Sequence, residues 1–145
     1  MSLPNFNADG NLTAGIHTCT WEQVEEKLAF NSRRQELLAG LKRACKVLKQ
    51  AGCDKIYLGG SFATNKEFPG DFDVCWRDEN ADLKLLLELD PILLDFSHKR
   101  AAQKAKYGGE LFLASVPADD RGQTFLEFFQ KDRNGNPKGI VEILL

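Results

Sequence analysis

The sequence predicts a single mixed domain of the α+β (or α/β) class, and three observations carry that prediction. Apolar residues recur at three- and four-residue spacing from Ser32 to Ala51. Short apolar runs bounded by glycine and proline follow at Lys55–Leu58 and Asp71–Trp76, and three more such runs close the chain. With 145 residues, 43% of them hydrophobic and 28% charged, the sequence has enough material for one core and too little for two full domains.

Residues 1–19 are rich in Asn, Gly and Thr and predict an irregular N-terminal arm on the domain surface. Thr20-Trp-Glu-Gln23 has the spacing of a capping box and opens a helix to about Phe30. Asn31 or Ser32 caps a second helix, which buries Leu37, Leu41, Ala44 or Cys45, and Leu48, and which Gly52 closes. Its remaining side, with Arg33, Arg34, Lys42, Lys46 and Lys49, reads as a solvated basic face.

The strand Lys55–Leu58 stops at Gly59-Gly60-Ser61, and a second strand runs from Asp71 to Trp76 after Pro69-Gly70. Helical segments then predict themselves at 81–89, at 92–96 after Asp90-Pro91, and at 97–106 with Ser97 as cap, Gly108-Gly109 ending the run. Three strands are expected at 110–116, 124–130 and 139–145. The turn-rich segment Asp132-Arg-Asn-Gly-Asn-Pro137 would join the last two as a hairpin.

Composition narrows the function classes. Nineteen basic against twenty-one acidic residues give a net charge of −2, so no global positive field gathers nucleic acid, and any polynucleotide contact has to be local. No apolar run approaches the roughly 20 residues of a membrane span, and no basic-then-apolar leader opens the chain; the expectation is a cytoplasmic protein with no membrane partner. Cys19, Cys45, Cys53 and Cys75 form no C-x-x-C pair, which reads as buried reduced thiols rather than zinc ligands or disulfides. His17 and His98 have no nucleophile at short range.

Chemistry concentrates at one place. Side chains alternate along a strand, so Phe72, Val74 and Trp76 share one face while Asp71, Asp73 and Cys75 share the other, the two carboxylates about 6–7 Å apart along the backbone. Such a pair suits a divalent metal. Nearby, two glycines permit a tight turn, and the amides and hydroxyl around Ser61 can hold phosphate oxygens, with Lys66 the only cation just downstream. Neither a P-loop nor a dinucleotide fingerprint is present. Trp76 and the pair Phe128-Phe129 read as core. His98-Lys-Arg100 with Lys104 and Lys106 reads as a solvated helix face leading into Glu110.

Gly59-Gly-Ser61 followed by Pro69-Gly-Asp-Phe-Asp-Val-Cys-Trp76 resembles the signature of the DNA polymerase beta-like nucleotidyltransferase superfamily. Gly15-Ile-His-Thr, Gly59-Gly-Ser-Phe, Lys104-Ala-Lys-Tyr-Gly-Gly-Glu-Leu-Phe112 and Pro137-Lys-Gly-Ile-Val141 extend the likeness over nearly the whole chain, to an uncharacterised group of small bacterial and phage proteins assigned to that superfamily. The resemblance implies a minimal nucleotidyltransferase fold, a mixed sheet with helices mainly on one side. It also implies transfer of a nucleoside monophosphate from a nucleoside triphosphate such as ATP to an acceptor hydroxyl on protein or RNA.

In those terms Gly59, Gly60, Ser61 and Lys66 would bind the nucleotide. Asp71 and Asp73 would ligate Mg²⁺ or Mn²⁺, and a third carboxylate on the next strand would complete the catalytic set. Glu110 is the first choice for it. The alternative is Glu127, which sits between Leu126 and Phe128 in an expected strand and would lie across the hairpin from Glu142. The acceptor would be bound by these few elements, by a second copy or by a partner protein. The competing expectation is a catalytically silent nucleotidyltransferase-like module of a toxin–antitoxin or phage-defence gene pair.

Overall fold

A computed structural model describes residues 3–145. The elements follow in the order β1 (Ile16–Cys19), α1 (Trp21–Leu28), α2 (Ser32–Gln50), β2 (Lys55–Gly59), a 3₁₀ turn (Gly60–Ala63), β3 (Phe72–Trp76) and α3 (Leu83–Leu89). A second 3₁₀ turn (Pro91–Leu94), α4 (Ser97–Tyr107), β4 (Gly109–Leu113), α5 (Phe125–Phe129) and β5 (Ile140–Leu144) complete the chain. The five strands form one mixed sheet ordered β1-β5-β2-β3-β4. The two outer pairs, β1 with β5 and β3 with β4, are parallel; β5–β2 and β2–β3 are antiparallel. The fold is therefore of the mixed α+β class.

Alternation along the strands divides the interior in two. Phe72, Val74 and Trp76 are fully buried and join Leu58, Leu111, Val141 and Ile143 beneath a helical layer contributed by α1, α2, α3 and α4. The opposite face is covered only by a smaller cluster of Tyr57, Cys75, Ala114, Phe129 and Ile140, with α5 lying across it. Helices thus lie mainly on one side. All four cysteines are buried and unpaired, and burial pushes the Cys53 and Cys75 thiols up to about 11 and about 12.

Local signals held where their partners were local. Thr20 and Gln23 form both halves of the capping box on α1, Asn31 caps α2, and Gly52 follows α2 with a left-handed φ of 96°. The structure departs from several of these expectations.

The arm of residues 1–19 is not irregular to its end, because Ile16–Cys19 pairs with β5; four mixed residues show no readable alternation, and the strand exists through a partner more than 120 residues away. Leu12 of the arm is fully buried.

Residues 124–130 are not a strand. Thr124 accepts from the Glu127 amide while the Glu127 carboxylate accepts from the Thr124 amide and hydroxyl, a capping box that opens α5. The hairpin to the last strand therefore does not form, although Asp132 Oδ1 does accept from the Asn134 and Asn136 amides in a tight turn. Glu142 lies beside Thr18 and Tyr57, not Glu127.

The basic side of α2 is not uniformly solvated, since Arg34 is fully buried. Nor does Ser97 start a regular helix. His98, Lys99 and Arg100 take left-handed φ values of 52°, 53° and 60°, and Arg100 folds back over the Phe112 ring, 3.9 Å from its centroid.

Arg100 Nε donates to the Leu111 carbonyl at 3.2 Å, and Gln103 Oε1 accepts from the Leu111 amide at 2.8 Å. Side chains of α4 thus satisfy the Leu111 amide and carbonyl on the outer edge of β4, which pairs with no further strand among the described residues.

Candidate functional site

The register of the sheet builds the site. Gly59, Asp73 and Glu110 stand in one row across β2, β3 and β4. Because Leu111 and Val74 point into the helical layer, Asp73 and Glu110 point to the opposite, thinly covered face. Asp71 lies two residues before Asp73 on the same side. One carboxylate oxygen from each of Asp71, Asp73 and Glu110 falls within 4.8 Å of the others, and all three residues are half-buried. A triad of acceptor-only groups at that spacing fits a hard divalent cation with oxygen ligands, such as Mg²⁺ or Mn²⁺.

Burial and mutual repulsion disfavour the ionised form of the two aspartates. Burial, then the neighbouring Asp71 and Glu110 carboxylates, pushes Asp73 up to about 6; burial and Glu110 raise Asp71 as well. Lys104 and Lys138 act in the other direction on Asp73. Lys104 Nζ is 3.2 Å from Glu110 Oε1, so α4 does not present a merely solvated basic face at this position.

Beside the triad, the chain leaves β2 at Gly59 and turns through Gly60, whose φ of 62° is left-handed. A Cβ at Gly60 would overlap the Asp73 carboxylate, and one at Gly59 would sit 2.8 Å from the Phe129 ring. Glycine is required at both for space, and at Gly60 for conformation too. Ser61 follows inside the 3₁₀ turn, half-buried, with its carbonyl accepting the Thr64 hydroxyl at 2.6 Å.

The segment after Ser61 is held from below by Arg34. Its Nε and Nη groups donate to the carbonyls of Leu28, Ser61, Phe62, Thr64 and Lys66, at 2.6–3.3 Å, and no carboxylate pairs with it among the described residues. Arg33 Nε reaches the Pro69 carbonyl at 3.2 Å and Asn31 the Glu67 carbonyl at 2.5 Å, so the start of α2 anchors the whole connection from β2 to β3. Arg34 was hidden in the sequence because one apolar-facing arginine cannot be told from its exposed neighbours by spacing alone.

The structure brings Asp71, Asp73, Glu110, Gly59, Gly60 and Ser61 together. Lys66 is exposed on the same loop. Glu127 is not at the site; it is exposed and spends its carboxylate capping α5. One residue was missed: Lys138, just before β5, is half-buried with its Nζ 3.3 Å from the Gly60 carbonyl. The sequence signal was its place in Pro137-Lys-Gly-Ile-Val141, not any charge pattern. Burial lowers the Lys138 pKa while Asp73 and Asp132 raise it.

Among the remaining sequence candidates, Trp76 and Phe129 are buried, whereas Phe128 is exposed. His17 Nε2 lies 2.7 Å from the Thr13 carbonyl. Among the described residues, no helix is long and apolar enough to cross a membrane. No curated protein and no solved structure matches the chain. A family does: residues 4–144 match the family of unknown function DUF6932, and the chain belongs to that family.

Proposed function

We propose that the chain is a metal-dependent nucleotidyltransferase, moving a nucleoside monophosphate from a nucleoside triphosphate to an acceptor hydroxyl. The observation that carries this reading is the convergence of Asp71, Asp73 and Glu110 to within 4.8 Å beside a glycine turn. A general acidic surface patch would not place a tight turn, free of side chains at Gly59 and Gly60, against its central carboxylate.

Asp71, Asp73 and Glu110 would hold Mg²⁺ or Mn²⁺, which supplies Lewis-acid stabilisation of the attacking and leaving oxygens. The amides and hydroxyl at Gly60–Ser61 orient the terminal phosphates. The acceptor oxygen bonds to the α-phosphorus as the bond to the bridging oxygen breaks. Pyrophosphate leaves with that electron pair, and a carboxylate of the triad takes the hydroxyl proton. The acceptor, on protein or RNA, meets the site on its open face, alone or with a second copy or partner protein completing it.

The test is transfer from α-labelled triphosphates in the presence of Mn²⁺ to the chain itself, to total RNA and to a protein extract. Label incorporated by the native chain and lost in Asp73→Ala, with folding retained, supports the reading; the same incorporation by both proteins overturns it.

A catalytically silent binding module of a two-gene system is the second reading. The ion pair between Lys104 and Glu110 favours it, since a lysine there neutralises the third carboxylate without metal. Triphosphate binding without transfer to any acceptor would select it.

A further inference from the structure

We propose that Lys138 is the phosphate-binding cation of this site, its ammonium exchanging the Gly60 carbonyl for the terminal phosphates of a triphosphate lying on the Gly60–Ser61 turn. The inference rests on reading the site as one for triphosphates, and it names the residue that would answer their charge.

The other cations around the turn are already engaged or freely hydrated. Arg34 lies directly below it, but its N–H groups are all engaged by main-chain carbonyls and it is fully buried, so it shapes the loop and has nothing left to donate. Arg33 is taken by the Pro69 and Gly70 carbonyls and by Glu36. Lys104 is paired with Glu110, and Lys106 with Asp90 at 2.7 Å. Lys66 is exposed, where a flexible, fully hydrated ammonium gains little from any one geometry.

Lys138 differs on each count. Its amide donates to the Gln130 carbonyl at 2.8 Å, and the following Gly139 amide donates to the Leu12 carbonyl at 3.1 Å, so the main chain beneath the side chain is fixed from both sides. A Cβ at Gly139 would overlap the main chain of Thr13, which leaves this close crossing of the arm to glycine.

The Lys138 side chain is half-buried and ends on the Gly60 carbonyl, and no carboxylate lies within ion-pair distance among the described residues. An ammonium has three donors, and a single neutral carbonyl uses one. What remains is a positioned, partly desolvated charge at the one turn where phosphate oxygens would arrive, and charge-assisted hydrogen bonds are strongest in that setting.

The probe is inorganic tripolyphosphate, titrated against the full chain with saturating Mn²⁺ and read by thermal shift. Lys138→Met should weaken the apparent affinity for tripolyphosphate by about tenfold or more while leaving the shift caused by Mn²⁺ alone in place; Lys138→Arg should stay within about threefold of the native chain. Lys66→Met should weaken that affinity clearly less than Lys138→Met does. Should Lys138→Met fail to fold, Lys138→Gln removes the same charge and keeps a donor for Gly60.

Tripolyphosphate binding by the charge-removing variant that matches the native chain overturns the assignment and leaves the nucleotidyltransferase reading standing. A loss that follows Lys66 instead of Lys138 overturns it equally. No response of the native chain to Mn²⁺ and tripolyphosphate together would remove the nucleotidyltransferase reading, and this inference with it.

Discussion

Asp73 and Glu110 are direct neighbours in the parallel register of β3 and β4, so two carboxylates from distant parts of the chain share one row of the sheet and one face. Like charges placed side by side across a ladder destabilise it unless something neutralises them. Lys104 answers Glu110 at 3.2 Å, and a bound divalent cation would answer the whole triad.

Removing the central charge should stabilise the metal-free protein. Asp73 has a folded-state pKa of about 6 against about 3.9 for a free aspartate, so the native state holds that proton more tightly than the unfolded chain does. Its favourable contribution is complete below about pH 4 and is lost as pH rises through about 6. In chelator, Asp73→Asn should therefore gain about 1–3 kcal/mol at pH 7.5 and almost nothing at pH 4, by urea denaturation at the two pH values.

Divalent metal should reverse that order. Mn²⁺ or Mg²⁺ is expected to raise the melting temperature of the native chain in proportion to the logarithm of its concentration, and to do so less as pH falls through about 6, where Asp73 takes up a proton. Asp71→Asn, Asp73→Asn and Glu110→Gln should each abolish the shift. Glu127→Gln should keep it in full, because Glu127 faces solvent and caps α5.

Gly60→Ala should damage the site more than the fold. The left-handed φ of 62° and the overlap of a Cβ with the Asp73 carboxylate together cost about 1–3 kcal/mol. A melting curve should show a moderate loss, whereas the Mn²⁺ shift should disappear because Asp73 has to move.

Arg34→Met should be among the most destabilising single changes in the protein. It leaves the buried carbonyls of Leu28, Phe62 and Thr64 without that donor, at a cost of about 3 kcal/mol or more. Arg34→Lys should recover only part of that, since one ammonium cannot span the five carbonyls that the planar guanidinium reaches. Chemical denaturation of both variants checks the ordering.

What the sequence by itself determined is what neighbours along the chain decide. The two aspartates share a face because alternation is a property of any strand, and the glycine turn had to break β2 because no other residue takes that path beside a carboxylate. The first two helix starts were written in their caps. Thr124 and Glu127 have the same capping-box spacing at the start of α5, within an apolar, aromatic run that reads as a strand.

Tertiary structure decided everything that depends on which segments meet. Only the register of β3 with β4 selects Glu110 over Glu127 as the third acid. Only the parallel pairing with β5 turns Ile16–Cys19 into a strand, and only the crossing of residues 138–139 over the arm carries Lys138 to Gly60. Arg34 lay among five basic residues of equal appearance, and burial against the loop from β2 to β3 singled it out. The physical reason is common to all four. Hydrogen bonds across a sheet and donors closing a distant loop are contacts of high sequence separation, and no local pattern of charge or hydropathy encodes the partner.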